Sequence, residues 1–384
     1  MRTTARPAVL ACQLLALTAA VAVLGVAPGE ERALETLGAL TTFWQPLQVL
    51  SGAYGAGERW TRRSRRPAVA VLATTIAFLA GAAVLVLAAQ AITGRVGLPA
   101  LFSAAPRTGL PTFPWLIPLG ALQFVILLQI TMTCEGKPFT RLPRPWGGWT
   151  ALAVASALAV AAYFLLVNWD AVPAATRAAT GLRNPDGPVP GNDVPAFLIV
   201  VAAWQVISLN LLGGWPGTRV RSPAARILLN DILVLAGGTA TYLALQAAGV
   251  SLPDMAALAG STVAGSRLVA VLAFRDSRPA TTGARLRLSS LALLSSAALW
   301  AVLLSVTSGA RFTQQPAGLW IAVMALNFVS GGISYLTDIL PRARPPAGEE
   351  RPRPAAGPAQ AAPTGAASAS LPAPRRTSRH VTNR

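Results

Sequence analysis

Two charged residues lie inside long apolar stretches, Asp231 and Arg267, and a charge at membrane depth is tolerated only where something neutralises or uses it. Counting at about 1.5 Å per residue puts both near the same end of consecutive apolar segments, within reach of an ion pair. Asn230 and Asn210 would complete a polar cluster there, with the chemistry of a gate or an ion-coupling site. The plainer alternative has Asp231 favoured in the first turns of its helix and Arg267 reaching out to the lipid headgroups. Five glutamines, Gln45, Gln48, Gln123, Gln129 and Gln205, also fall inside apolar stretches. They line a polar path or serve as interhelical hydrogen-bond glue, at about 1 kcal/mol per bond.

The absences narrow the chemistry further. His380 is the only histidine and lies in the tail, so helix-borne histidine ligands for haem, copper or zinc are excluded and no cofactor or metal is expected. No Gly-x-Ser-x-Gly elbow is present. Gly136 and Lys137 are followed by Pro138 where a nucleotide loop needs Ser or Thr, which rules out ATP-driven transport by this chain alone. Gly52, Gly55 and Gly57 lack the strand-turn-helix context of a dinucleotide site. Glu30 and Glu31 resemble the acidic pair of polytopic glycosyltransferases that use lipid-linked sugars. That resemblance covers two residues in a loop far shorter than those enzymes use, so an enzyme is the lesser expectation.

The elements that must position these residues are membrane helices. The 384 residues are 53% hydrophobic and 12% charged, too apolar for a soluble domain of this length. The apolarity comes in runs of roughly 20 residues, the length that crosses a ~30 Å hydrocarbon core. Residues 8–27, 68–92, 114–133, 149–168, 195–213, 226–249, 288–308 and 317–339 read as spans. Residues 34–54, with Gln45, Pro46 and Gln48, and residues 254–274, with Arg267, are more polar. Arginine is used almost alone, Lys137 being the only lysine, which fits a GC-rich bacterial genome. Cys12 and Cys134 lie far apart and imply no disulfide framework.

Charge placement decides for the two polar segments. With ten spans, one side receives Arg2, Arg6, the arginines of residues 59–66, Lys137, Arg141, Arg144, Arg219, Arg221, the arginines of 275–287 and the basic tail. The other side receives Glu30, Glu31, Glu35, Asp170, Asp186, Asp193 and Asp254 with few arginines. Dropping either polar segment inverts everything after it and puts basic loops outside. The expectation is a bacterial cytoplasmic membrane protein with both termini cytoplasmic. Pro28 argues against reading the first segment as a cleaved signal peptide.

Hairpins compared with one another show a weak repeat, starting at Leu37, Leu119 and Val200, each with amides and a glycine-containing exit. The reading of the fold is therefore an all-α polytopic membrane protein of about ten transmembrane helices built from repeated helical hairpins. Residues 1–340 form the transmembrane domain. Residues 341–384, rich in Pro, Ala, Arg and Ser, form a disordered cytoplasmic tail. Lipid bilayer is the principal partner, with an anionic lipid or a protein contacting the basic tail, and nucleic acid is not expected because the arginines follow the membrane rule. The leading functional expectation is a small-solute permease or exporter without its own nucleotide site; a membrane-embedded scaffold or accessory subunit comes second and a transferase using a lipid-linked substrate third.

Overall fold

The computed structural model describes residues 42–47, 49–50, 67–96, 115–143, 146–273, and then 283, 287, 290, 291 and 293–298. The side chains of 67–72, 74, 210, 253 and 267–273 are not part of that description. The expected spans at 8–27 and 317–339, Gln48, the Glu30–Glu31 pair and the tail lie outside the described residues, as does most of 34–54 and of 288–308.

The described chain is almost wholly helical: α1 (Pro67–Thr93), α2 (Ile117–Leu128), α3 (Trp146–Leu166), a seven-residue α4 (Ala174–Thr180), α5 (Asp193–Val206), α6 (Pro223–Ala247) and α7 (Leu252–Ala273). Starts and stops follow local chemistry. Pro118 occupies the first turn of α2, and Ser222 caps α6 by accepting the Ala225 amide at 3.4 Å just before Pro223. α4 ends on Gly181 in the left-handed conformation, φ +66°.

Three helices, Thr75–Thr93, Trp146–Leu166 and Pro223–Ala247, are long and apolar enough to cross a membrane. Ile117–Thr133 and Asp193–Leu209 are shorter apolar helices. The long ones also turn large apolar side chains outward: Leu79 and Val84 on α1, Leu158 and Leu165 on α3, Leu228, Ile232, Leu235 and Leu243 on α6. A helix surrounded by water does not present such a face, whereas one surrounded by lipid does.

At the centre is α5, covered on every side, with Val194, Ala196, Leu198, Val200, Val201, Ala202 and Ala203 all buried. It packs against α2, α6 and α7, and α2 in turn packs against α3. α6 and α7 follow one another through a short link, yet both lie chiefly on α5 rather than on each other. Small residues permit these approaches. A Cβ on Gly237 would sit 2.8 Å from the Trp204 ring, and one on Gly238 2.8 Å from Val201. Helical residues 42–47 reach the same core, where Gly120 makes room for Thr42 and Phe43.

The segment between α3 and α5 is more ordered than its Pro/Gly content foretells. Val167–Asn168 pairs in parallel with Val189–Pro190. Asn184 Oδ1 accepts the Trp169 amide at 2.7 Å, and the Trp169 indole, fully buried, donates to Tyr163 Oη at 3.0 Å. The indole also meets Trp115 edge to face at 5.3 Å between centroids.

Candidate functional site

Both central hairpins leave their first helix in the same way. α2 widens into a five-residue π turn, Gln129–Thr133, in which the Cys134 amide donates to the Gln129 carbonyl at 3.0 Å. α5 widens into Ile207–Leu211, with the Leu212 amide on the Ile207 carbonyl at 3.0 Å. Left-handed residues follow, Glu135 and Gly136 in one case, Gly213 and Gly214 in the other. A cis proline (Pro138, Pro216) and a three-residue 3-10 turn (Phe139–Arg141, Gly217–Arg219) complete each exit. The shared sequence is Gly-x-Pro-x-Thr-Arg, at Gly136–Arg141 and Gly214–Arg219. The register of the turns sets Gln129 opposite Ile207 and Met132 opposite Asn210. The exits correspond and the amides do not, which shifts the sequence-based alignment of Gln129 with Asn210 by three residues.

Single π turns cluster at functional sites because the extra residue rotates the following side chains off the regular helical stripe. Here Gln129 opens the first π turn and connects three helices. Gln205, fully buried on α5, donates from Nε2 to the Val125 carbonyl of α2 at 3.2 Å and to Gln129 Oε1 at 2.5 Å. Gln129 Nε2 donates to Asp231 Oδ1 on α6 at 2.5 Å. The direction of this chain follows from its first member. A backbone carbonyl only accepts, so Gln205 turns its amide nitrogen toward Val125. Gln129 then offers its oxygen to Gln205 and its nitrogen to Asp231, whose Oδ1 is an acceptor.

Asp231 sits roughly 12 Å along α6 from Pro223 at ~1.5 Å per residue. Its position on the inner stripe of α6 matches Asn230, Val234, Gly238 and Tyr242, all buried. Among the described residues no cationic side chain forms a salt bridge with it. Arg267 lies in α7, its side chain outside the described set; the partner that Asp231 shows is Gln129.

Of the other amides, Gln123 is buried and donates to Ser156 Oγ at 2.7 Å, tying α2 to α3. Asn230 is buried beneath the second exit turn, and a Cβ on Gly217 would strike its side chain. Gln45 is buried with residues 42–47. Asn210 lies in the second π turn, with its side chain not described. The site residues thus divide: Gln205, Gln129 and Asp231 form one chain, while Gln123 belongs to a separate helix contact.

The contacts of Glu135, Tyr242 and Trp204 had no counterpart in the sequence reading. Glu135, the one acid in the first exit turn, bonds Lys137 at 2.9 Å and forms an ion pair with Arg226 at the start of α6. The Lys137 hydrogen bond, aided by Arg226 and opposed by some burial, holds the Glu135 carboxyl below the ordinary glutamate range. Next to it, burial and then the nearby Asp231 charge push the Cys134 thiol up, which makes it a poor nucleophile. At the other end of α6, Tyr242 donates to Asp193 Oδ2 at 3.4 Å, accepts from Gln246 at 2.8 Å and meets Phe197 edge to face. Beside it, Thr241 Oγ1 accepts from Trp204 Nε1 at 3.0 Å. An acid among arginines and a tyrosine facing an acid across two helices are visible in sequence only once the helix pairing is known.

Among the described residues no group of three or more His, Cys, Asp or Glu side chains is placed to hold a metal ion. Comparison with protein families, with curated proteins and with solved structures finds no match to this chain.

Proposed function

We propose that the chain is a small-solute permease or exporter without its own nucleotide site, with Asp231, Gln129 and Gln205 as the polar centre of its path. The observation that carries this reading is the hydrogen-bonded chain itself, which joins α2, α5 and α6 at a carboxylate lacking a cationic partner among the described residues. In the register of the exit turns, Gln129, Gln205 and Asp231 correspond to Ile207, Leu127 and Ala153. The hairpin frame is reused and the polar chain is particular to one interface.

The fuller architecture belongs to the same proposal: about ten spans, hairpins as the repeated unit, a bacterial cytoplasmic membrane and both termini cytoplasmic. Its support is the distribution of charge in the described residues. Lys137, Arg141, Arg219, Arg221 and Arg226 gather at the end holding the exit turns, while Asp170, Asp186, Asp193 and Asp254 lie toward the other. The exposed Trp146, Trp149 and Trp215 fit an interfacial aromatic belt at the basic end. The bilayer is the partner in this reading, and the basic tail offers charge to anionic lipid or protein.

The second reading, a membrane-embedded scaffold, is favoured by Gln123–Ser156 and Trp204–Thr241, which fasten adjacent helices and involve no ionisable group. Counterflow in proteoliposomes across a panel of small solutes separates the two. The permease reading expects at least one solute to exchange and Asp231→Asn to bring exchange to background. Exchange that is absent for the whole panel favours the scaffold, whereas exchange unchanged in the variant removes Asp231 from the path.

A further inference from the structure

The chain Val125–Gln205–Gln129–Asp231 runs in one direction and leaves only acceptors open. The Val125 carbonyl fixes the Gln205 amide, which fixes Gln129, which presents N–H to Asp231 Oδ1. At one end of the chain the second carboxylate oxygen, Oδ2, has no hydrogen-bond partner among the described residues. At the other end Gln205 Oε1, on a side chain with 0% exposure, has none either. The elements that carry the chain hold further buried oxygens in the same condition: Asn230 Oδ1 beside Asp231, and Ser208 Oγ and Thr133 Oγ1 in the two π turns. Unpartnered buried oxygens are rare; the carboxamide oxygens call for a group that donates hydrogen bonds or carries positive charge, and the two hydroxyls can accept or donate.

We infer that Asp231 Oδ2, held in place by the Gln205–Gln129 chain, is the anchor of a monovalent-cation site whose other acceptors come from the adjoining buried oxygens, Asn230 Oδ1 first. The charge argument sets the valence. One carboxylate and neutral oxygens, with no second acid in the chain, balance one positive charge; a divalent ion would be left under-neutralised in a medium of low dielectric. The ligand atoms set the class. All are oxygens, the described residues include no histidine, and the neighbouring sulfur of Cys134 is held as a thiol, so the site suits a hard alkali cation or a primary ammonium. Carboxamides do not relay protons as carboxylates and histidines do, so the chain positions Asp231 and does not conduct a proton to it. This inference rests on the permease reading for its role but not for its existence, because binding is measurable without flux.

The test uses the full-length protein in detergent, with tryptophan fluorescence following thermal unfolding at constant ionic strength in N-methylglucamine chloride. Sodium, potassium and methylammonium are each titrated in place of N-methylglucamine. The expected result is a saturable rise in midpoint for one of them, with apparent affinity weakened by about tenfold or more in Asp231→Asn. Saturation by an alkali cation identifies an inorganic ion, and saturation by methylammonium alone identifies an amine. Glu135→Gln, an acid outside the chain, should keep the wild-type affinity. Should Asp231→Asn fail to fold, Gln205→Leu, which releases Gln129 from the bond that orients it and keeps the charge, should weaken the same titration. A midpoint that follows pH but no added cation overturns the inference in favour of a proton. A cation effect that survives in Asp231→Asn overturns it as well. Saturable binding without exchange of any solute in liposomes would keep the cation site and remove the permease reading.

Discussion

Gln129 Nε2 and Asp231 Oδ1 lie 2.5 Å apart although 102 positions separate them in the chain. The contact exists because Gln129 stands at the end of α2, where the π turn opens, and because α6 returns across α5 to present the residue that follows its buried Asn230. Removing Gln129 strips Gln205 and Asp231 of their shared partner at once. Gln129→Leu should therefore destabilise by about 1 kcal/mol, the scale of an interhelical bond in a membrane. In a double-mutant cycle with Gln205→Leu the two losses should be strongly non-additive, which unfolding in mixed micelles measures.

Asp231, Gln129 and Gln205 were recognisable as candidates from the sequence, because a polar group in an apolar run is visible without knowing what it touches. Their connection was not. Counting residues along two consecutive helices suggests Arg267 as the neighbour of Asp231; the Arg267 side chain lies outside the described residues, and α5 is the helix on which both α6 and α7 chiefly pack. The boundaries fared well for the same reason in reverse: the runs 68–92, 149–168 and 226–249 are set by local apolarity and appear as Pro67–Thr93, Trp146–Leu166 and Pro223–Ala247. The π turns were illegible, since each closes its helix and too few helical residues follow to display the shifted stripe.

The Glu135 contacts predict a response to acid. A carboxyl held below its ordinary value in the folded protein adds stability above the unfolded glutamate range, and that stability is lost as pH falls through the folded value. Wild type should lose midpoint on acidification from about pH 5 to about 3 relative to Glu135→Gln, whose profile should be flatter over that window. The group is partly exposed and near two cations, so added salt should reduce the difference.

Glu135 is also a non-glycine residue at φ +56°, where the second hairpin has Gly213. Left-handed backbone costs an L-residue about 1 kcal/mol, so its side chain must contribute enough to be kept. Glu135→Gly relieves the backbone and removes the ion pair together, and should come out close to neutral near pH 7. Glu135→Ala keeps the strain and loses the pair, and should be the less stable of the two in the same melt.

On the far side of the bundle, Trp169 and Tyr163 share a fully buried hydrogen bond. Trp169→Phe removes the donor, leaves the Tyr163 hydroxyl without it, and gives up ring area against Trp115 and Gly191. A loss of roughly 1–3 kcal/mol is expected. Limited proteolysis should locate the damage in the 167–192 segment, with the exit turns at the opposite end retaining wild-type protection.

Asp231 and Ile232 are adjacent in sequence, and about 100° of helical rotation separates their side chains. Asp231 is part of the inner stripe of α6, while Ile232 is 54% exposed and shares its outer face with Leu228, Leu235 and Leu243. If that face meets lipid, Ile232→Asp carries a desolvation cost of about 2.5–3.5 kcal/mol that the natural Asp231, bonded to Gln129, avoids. If it met water, the same change would be nearly neutral, because an exposed isoleucine gains nothing from solvent. The expected outcome is a sharp fall in membrane-integrated Ile232→Asp protein, with Ile232→Leu at wild-type level, measured by carbonate extraction of isolated membranes. The double change Asp231→Ile with Ile232→Asp, which keeps composition and charge and only turns the carboxylate by one position, should be as poorly integrated as the single Ile232→Asp. Wild-type levels of the swapped protein would mean that the outer face of α6 is not in contact with lipid.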